Sequence, residues 1–410
     1  MTDIKNVKII DGGVCAAKGF KAAGTACGIK GRSGKKDLAL IVSSEECSAA
    51  AVYTTNKVKG APLSVTRRNI SDGRARAVIC NSGNANTCAP NGADIAEKTC
   101  MLTADALGIA ASDVVVASTG VIGQELYIEP FEKGIPVLVE GLREDGSSEA
   151  AEAIMTTDTI PKEIAVEFEL GGITCRMGGI AKGSGMINPN MATMLSFITT
   201  DVFISPELLD KALKEDVKTS FNQICVDGDT STNDMVVVLA NGLAGNSSID
   251  AEGEAFDKFK EALSVITTYL AKRLARDGEG ATKLIECNVK GAADEKQARN
   301  ISKTVISSDL FKAAMFGEDA NWGRVLCAIG YTPGDFQVDN IDVEICSAKG
   351  SITVCSGSGH EDFSEEEALD ILSEEEIRIN VDMNQGSCQA TAWGCDLTYE
   401  YVRINGDYRS

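Results

Sequence analysis

One histidine in 410 residues is the most restrictive feature of this sequence. Nucleophilic sites built as Ser-His-Asp or Cys-His need an imidazole at their centre, and zinc sites commonly take one or more as ligands. His360 lies in SGSGHEDFSEEE, a Gly/Ser turn running into an acidic stretch, which suits a surface position better than a general base. Any enzyme chemistry must draw its base from elsewhere. Long apolar runs are missing as well. No stretch of about 18 apolar residues occurs, and the start, MTDIKNVKII, has no basic segment followed by an apolar one. Membrane spanning and secretion therefore lack support, and a cytoplasmic protein is expected. Basic charge is scarce: 60 acidic residues against 39 basic ones give a net charge of −21 without a basic patch, which opposes binding to nucleic acid. Fourteen cysteines, spread from Cys15 to Cys395, include no C-x-x-C pair and no zinc spacing. They read as small core thiols, with Cys175 and Cys287 inside apolar strand patterns.

What is present is a globular composition, 44% apolar and 24% charged, long enough for two or three domains or one layered domain with an appendage. Ile164, Val166, Phe168 and Leu170 alternate with other residues, Gly171-Gly172 turns the chain, and Ile173, Cys175 and Met177 alternate again, a hairpin pattern. Met194 to Ile198 reads as a short buried strand ended by Thr199-Thr200-Asp201. Ser205-Pro206-Glu207 caps a helix with an apolar stripe of Leu208, Leu209, Ala212, Leu213 and Val217. Phe256, Phe259, Leu263, Ile266, Leu270 and Leu274 mark a second helix, stopped by Gly278, so that Glu279 falls just past its end. Leu284 to Val289 reads as a strand, and the polar stretch from Gly291 to Lys296 suits a subdomain boundary. Alternation through Trp393, Cys395, Leu397, Tyr399 and Tyr401 predicts a terminal strand with a polar tail from Asn405 to Ser410. Strands and helices do not alternate strictly enough for a doubly wound sheet, so the expected class is layered α+β.

Three tempting motifs fail. Gly183-Ser184-Gly185 lacks the third glycine of a dinucleotide loop, and neither Gly19 nor Lys182 fits the phosphate-loop pattern. The acidic run from Asp227 to Asp234, DGDTSTND, is dense in oxygen ligands, but its glycine and a terminal glutamate are misplaced for calcium. It reads as a self-bonded turn supporting a site. The segment KGSGMINPNMATMLSFITTD, Lys182 to Asp201, is different: Asn188-Pro189-Asn190 forces a turn before Met191-Ala192-Thr193, and the buried strand follows directly. This places a hydroxyl at a turn-to-strand junction. Many strands begin with threonine for its β-propensity alone. The shortage of histidine favours chemistry, because a threonine whose own α-amine serves as base needs no imidazole. That amine exists only once the Ala192-Thr193 bond is cut.

The segment resembles the self-cleavage site of the ornithine acetyltransferase family, also called glutamate N-acetyltransferases, enzymes of arginine biosynthesis. The resemblance extends over nearly the whole chain: NSGNANTC from Asn81, STGVIG from Ser118, IMTTDTIPK from Ile154, NQICVDGDTSTND from Asn222, RDGEGATK from Arg276, NWGR from Asn321 and YVRINGDYRS from Tyr401. Any one of these is weak; the ordered set is specific. It implies an α-β-β-α layered sandwich with a smaller C-terminal α/β subdomain from about residue 290 to 410. It also implies a precursor that cuts itself between Ala192 and Thr193 into an α chain, 1–192, and a β chain, 193–410, two of each assembling together.

By the same resemblance Thr193 is the nucleophile, and Thr119 and Gly120 supply the oxyanion donors through a hydroxyl and a backbone N–H. Substrate binding maps onto Thr156, Lys182, Thr193, Glu279, Asn405 and Ser410, the last a serine where many relatives carry threonine. Cationic Lys182 suits a substrate carboxylate and Glu279 an ammonium group. The implied reaction moves the acetyl group of N-acetylornithine to glutamate by a ping-pong cycle, without cofactor or metal. Some members of the family also take the acetyl group from acetyl-CoA, and no residue here decides between the two kinds. The rivals are an amidase or aminopeptidase on the same self-processing scaffold and an uncleaved binding or scaffold protein. Acetate release without glutamate dependence marks the first, and an intact chain marks the second.

Overall fold

The structure, a computed structural model, describes residues 7–31, 34–188 and 194–407. Strand periodicity of two governs the N-terminal two thirds, where alternate residues of each strand enter different cores. Nine strands form one hydrogen-bonded sheet among the described residues. Its central path is β1 (Val7–Ile10), β6 (Lys162–Leu170), β7 (Ile173–Lys182), β8 (Leu195–Thr200), β10 (Met235–Ala240), β3 (Leu38–Tyr53), β4 (Arg74–Asn81) and β5 (Val114–Ser118), with β2 (Phe20–Thr25) also on β3.

The 16-residue β3 belongs to two layers. Its first half pairs with β2 and β4, its second half pairs with β10, and the register shifts between Val42 and Cys47. Such an irregularity bends a strand and lets a sheet fold over itself. The two halves then meet face to face: Ala39, Ile41, Val78 and Val115 from one layer share a core with Ile180, Leu195, Phe197 and Val237 from the other. The outer faces are covered by helices. Leu38, Leu40, Ile79 and Val116 pack under α1 (Ala61–Asn69), α2 (Gly92–Leu107) and α3 (Glu129–Glu140), while Val166, Met177, Ile198 and Val238 pack under α5 (Pro206–Asp216) and α6 (Glu254–Arg276). Short α4 (Ser147–Ala153) packs on β2 and β3. This is the α-β-β-α sandwich, within the layered α+β class expected.

The two helices read from the sequence form as their patterns require. Ser205 accepts the Leu208 N–H as the cap of α5. The six apolar residues of the α6 stripe are fully buried, each worth roughly 1.5–3 kcal/mol relative to exposure. The 163–177 hairpin and the strand after Thr193 are β6, β7 and β8.

A second sheet, of seven strands among the described residues, packs on the other side of α6. It comprises β9 (Ile224–Cys225), β11 (Leu284–Ala292), β12 (Asp342–Ser347), β13 (Gly350–Ser356), β14 (Gly359–His360), β15 (Glu376–Asp382) and β16 (Cys388–Cys395). Helices α7 (Glu295–Ile306), α8 (Asp309–Phe316), α9 (Trp322–Gly330) and α10 (Glu365–Leu372) accompany it, and Ile285, Cys287, Ile301, Ile345 and Ile379 fill its core. Ten of the fourteen cysteines are buried, in keeping with small core thiols. His360 is exposed, stacked on Trp322 at 5.9 Å.

The predicted terminal strand is a correction. β16 ends at Cys395, and the chain turns into α11 (Tyr399–Asp407). Asp396 stops the strand by accepting the N–H groups of Thr282 and Lys283, at 2.8 and 2.9 Å, and Thr398 then accepts the Glu400 N–H at the helix start. The alternation beyond Cys395 misled because Tyr399 is largely exposed, so it records no buried face.

Candidate active site

The loops that follow β4, β5 and β7 and those that precede β8 and β10 surround a pocket of about 210 Å³. Thr119, Gly120, Thr156, Lys182, Glu279 and Asn405 all line it, together with Met194, the residue after Thr193. Ala192, Thr193 and Ser410 lie outside the described residues. A larger cleft, about 650 Å³, lies over the second sheet beside Asn288, Asn380 and Trp393, and none of the described residues nominated from the sequence lines it.

Thr119 and Gly120 follow β5 and are held by the NSGNAN loop. Asn81 accepts the Thr119 N–H on its carbonyl at 2.9 Å and donates from its side chain to Ser118 Oγ at 2.7 Å. Its own Oδ1 accepts the Asn84 N–H at 3.1 Å, a local turn that curls the loop back. Glycine at 120 is obligatory on two counts. Its φ is +124°, and an added Cβ would stand 2.7 Å from the Gly83 carbonyl carbon and 2.8 Å from the Asn84 nitrogen. A plain turn would meet only the first demand. Asn233 reinforces this wall, donating to the Ser118 carbonyl at 3.0 Å.

Lys182, at the end of β7, is buried and donates to Thr156 Oγ1 at 2.8 Å. Its ammonium lies 3.8 Å from Asp158. Asp158 also accepts from Lys162 Nζ at 2.7 Å and from the Gly183 N–H at 2.6 Å. Burial alone would raise this carboxyl, but Lys182, Lys162 and the Gly183 N–H together hold it well below the usual carboxylate range. Lys162 bridges onward to Asp277 at 2.6 Å, entirely inside the protein. A buried ionic chain thus connects IMTTDTIPK to the end of α6, where Glu279 sits.

Glu279 rests against Gly185, where a Cβ would stand 2.4 Å from its carboxyl carbon, and its N–H is taken by the Ser184 carbonyl at 2.9 Å. Asn405 of α11 donates to Glu279 Oε2 at 2.7 Å. Three stretches far apart in sequence, KGSG, RDGEG and the C-terminal helix, therefore meet at one carboxylate.

The DGDTSTND loop is bonded to the chain both before and after residues 189–193, which lie outside the described residues. Before it, Asp227 accepts the N–H groups of Met186 and Ile187, at 2.5 and 2.9 Å, and Thr230 donates to the Asn188 carbonyl at 3.0 Å. After it, the Met235 N–H donates to the Met194 carbonyl at 2.9 Å. The loop bonds itself as well, Asp229 N–H to Asp227 at 3.2 Å. The self-bonded, supporting turn expected from the sequence is what forms. Among the described residues no group of three His, Cys, Asp or Glu side chains is placed to hold a metal ion.

Sequence reasoning nominated none of Asp158, Lys162, Asp277, Asn233 or Asp234. All five lie inside the motifs quoted, but what distinguishes them is burial, which only the fold supplies.

Comparisons with known proteins show the family. The family model described as the ArgJ family matches residues 21–410. The arginine biosynthesis bifunctional protein ArgJ of Symbiobacterium thermophilum is 51% identical over 401 residues, 97% of this chain and 99% of that protein. The protein of the same name from Caldanaerobacter subterraneus is 49% identical over 405 residues, 98% of this chain and 100% of the relative. A crystal structure of the arginine biosynthesis bifunctional protein from Bacillus halodurans is 48% identical, with a TM-score of 0.50, covering 53% of this chain and 100% of that one. A family model matched over residues 21–410 and relatives 51% and 49% identical over nearly the full length leave one conclusion: this chain belongs to the ArgJ family.

Proposed function

We propose that this enzyme transfers the acetyl group of N-acetylornithine to glutamate, giving ornithine and N-acetylglutamate, through an acetyl ester on Thr193. The observation that carries the reading is the convergence of Thr119, Gly120, Thr156, Lys182, Glu279 and Asn405 on one pocket beside Met194. The Thr193 hydroxyl attacks the Ala192 carbonyl, the acyl group passes from nitrogen to oxygen and so frees the α-amine, and water then hydrolyses the ester to give the Ala192 carboxylate and restore the Thr193 hydroxyl. That amine then takes the hydroxyl proton while Thr193 Oγ1 attacks the acetyl carbonyl of N-acetylornithine. The tetrahedral oxyanion is met by the Thr119 hydroxyl and the Gly120 N–H, and ornithine departs with the proton. Glutamate enters, its amine attacks the acetyl ester, and Thr193 is restored. Lys182 takes the substrate carboxylate and Glu279 the ammonium end.

Cleavage at Ala192-Thr193 leaves 218 of 410 residues in the β chain, 53% of the whole, which is the share the Bacillus halodurans structure covers. The two chains remain interlocked, because β8 lies between β7 and β10 in one sheet. Two copies of each chain, a C-terminal subdomain from about residue 290 and a cytoplasmic setting belong to the same reading. No helix among the described residues is long and apolar enough to cross a membrane. The relatives' shared name, bifunctional, supports acetyl-CoA as a second donor.

Intact mass spectrometry of the wild type beside Thr193→Ala tests the cleavage: two species meeting at Ala192 and Thr193, absent in the variant, are expected. N-acetylglutamate formation from N-acetylornithine and glutamate tests the transfer, and acetate release without glutamate dependence would replace it with an amidase. N-acetylglutamate made from acetyl-CoA alone measures the second donor.

A further inference from the structure

Beside the backbone of Met194, the residue after Thr193, stands a buried carboxyl group that the transfer cycle does not use. Asp234 immediately precedes β10, and the parallel register Met235↔Leu195 sets it opposite Met194. It is 3% exposed and lines the same pocket as Lys182 and Glu279. Its neighbours are the hydroxyls of Ser231 and Thr54 and the backbone N–H of Met194. Its Oδ2 is fully buried and has no hydrogen-bond partner among the described residues. An unpartnered buried acceptor is costly unless the group serves a purpose or carries a proton.

We propose that Asp234 is the proton carrier of the self-cleavage step, its carboxylic acid passing the Thr193 hydroxyl proton to the Thr193 nitrogen. The proposal rests on the self-cleaving reading above. In that step the Thr193 Oγ1–C bond to the Ala192 carbonyl forms and the C–N bond breaks. The hydroxyl loses a proton and the nitrogen gains one. A neutral carboxyl accepts on one oxygen and donates from the other, so it ends as it began, and no further acid or base is consumed. Before cleavage the α-amine that later serves as base is tied up in the peptide bond, so another group must move this proton.

The alternatives in the pocket are occupied. Lys182 has donors only and is held by Thr156 and, at 3.8 Å, by Asp158. Glu279 is taken by Asn405. Burial pushes the Asp234 carboxyl well above the usual range, against the Ser231 hydroxyl and the facing charge of Lys182, which pull the other way.

The test is a time course of cleavage in freshly synthesised full-length precursor, followed by intact mass spectrometry, for wild type, Asp234→Asn and Thr193→Ala. Asparagine keeps the acceptor for the Met194 N–H but cannot relay the proton. Asp234→Asn should fold, by circular dichroism, and cut about 100-fold more slowly. A folded Asp234→Asn precursor cut within about threefold of the wild-type rate overturns the proposal. Should that variant not fold, the wild-type pH profile decides. Cleavage falling from about pH 5 to about pH 9 supports a protonated carrier, and cleavage rising throughout overturns it. The two readings fail differently: a wild type that stays intact sinks self-cleavage and Asp234 together, whereas a wild type and Asp234→Asn cut alike, with Thr193→Ala intact, sink Asp234 alone.

Discussion

Asn405 donates its side-chain amide to the Glu279 carboxylate at 2.7 Å across 126 positions of sequence. The C-terminal helix is thereby part of the pocket wall and not a tail. Gly280 permits this approach: its φ is +69°, and a Cβ there would stand 2.6 Å from Glu400 Cβ and 2.8 Å from the Tyr401 nitrogen. Gly280→Ala should displace α11 and raise KM for N-acetylornithine about tenfold, leaving precursor cleavage unchanged. Steady-state kinetics beside a gel of the processed chains would check it.

Charge at the two ends of the pocket makes a second prediction. Glu279→Gln preserves shape and an acceptor for Asn405 but removes the charge offered to an ammonium group. Loss of one charge-assisted hydrogen bond, about 1.5–3 kcal/mol, lowers kcat/KM by roughly 10 to 150-fold. Lys182→Met should act in the same direction through the carboxylate, and both variants should still cleave. A fully active Glu279→Gln enzyme would sink the ammonium assignment.

Gly120→Ala should lower kcat by about 100 to 1000-fold, the usual consequence of losing one oxyanion donor. The added methyl cannot be housed without moving the Gly83–Asn84 backbone, which displaces the N–H from its aim. Single-turnover acetylation of the processed enzyme would separate this from an effect on binding.

Lys162 neutralises two buried carboxylates, Asp158 and Asp277, at 2.7 and 2.6 Å. Lys162→Met should destabilise the fold by about 3–5 kcal/mol, because Asp277 loses its buried cation and Asp158 keeps only Lys182, at 3.8 Å. Chemical denaturation at neutral pH would measure the loss. It should shrink on acidification, as the stranded carboxyls become protonated.

Asp216 lies at the end of α5, almost fully buried, where burial pushes its carboxyl from 3.8 to about 6 against the opposing bonds from Thr267, Ser220 and Ser264. Because the folded state binds this proton more tightly than the unfolded state, its contribution is fully present below about pH 4 and is lost as pH rises through about 6. Asp216→Asn should therefore raise the melting temperature at pH 8 and not at pH 4. A shift of about two units corresponds to at most ~3 kcal/mol. Equal melting shifts at both pH values would contradict this.

Local patterns were legible wherever one face of an element is buried. The 163–177 hairpin, the strand after Thr193 and helices α5 and α6 follow from alternation, capping residues and a stripe at helical spacing. The C-terminus was misread for the same reason in reverse. Tyr399 and Val402 are exposed, so their spacing carries no information about a core, and the helix there is set by Asp396, Thr398 and the close approach that Gly280 permits.

By itself the sequence determined what chemistry was available: a single histidine, no metal spacing, a threonine poised behind an Asn-Pro-Asn turn, and an ordered set of motifs specific enough to indicate the family. Only the tertiary structure decided which of those groups meet. The fold of β3 at its irregular register stacks two sheet layers so that loops from β4, β5, β7, β8 and β10 share one pocket. It also decided which polar groups are buried, and therefore which are paired, shifted or left with an open acceptor. Burial is a property of packing between distant segments, and no local spacing encodes that Asp158 would be pulled down by two lysines while Asp234 is pushed up beside Met194.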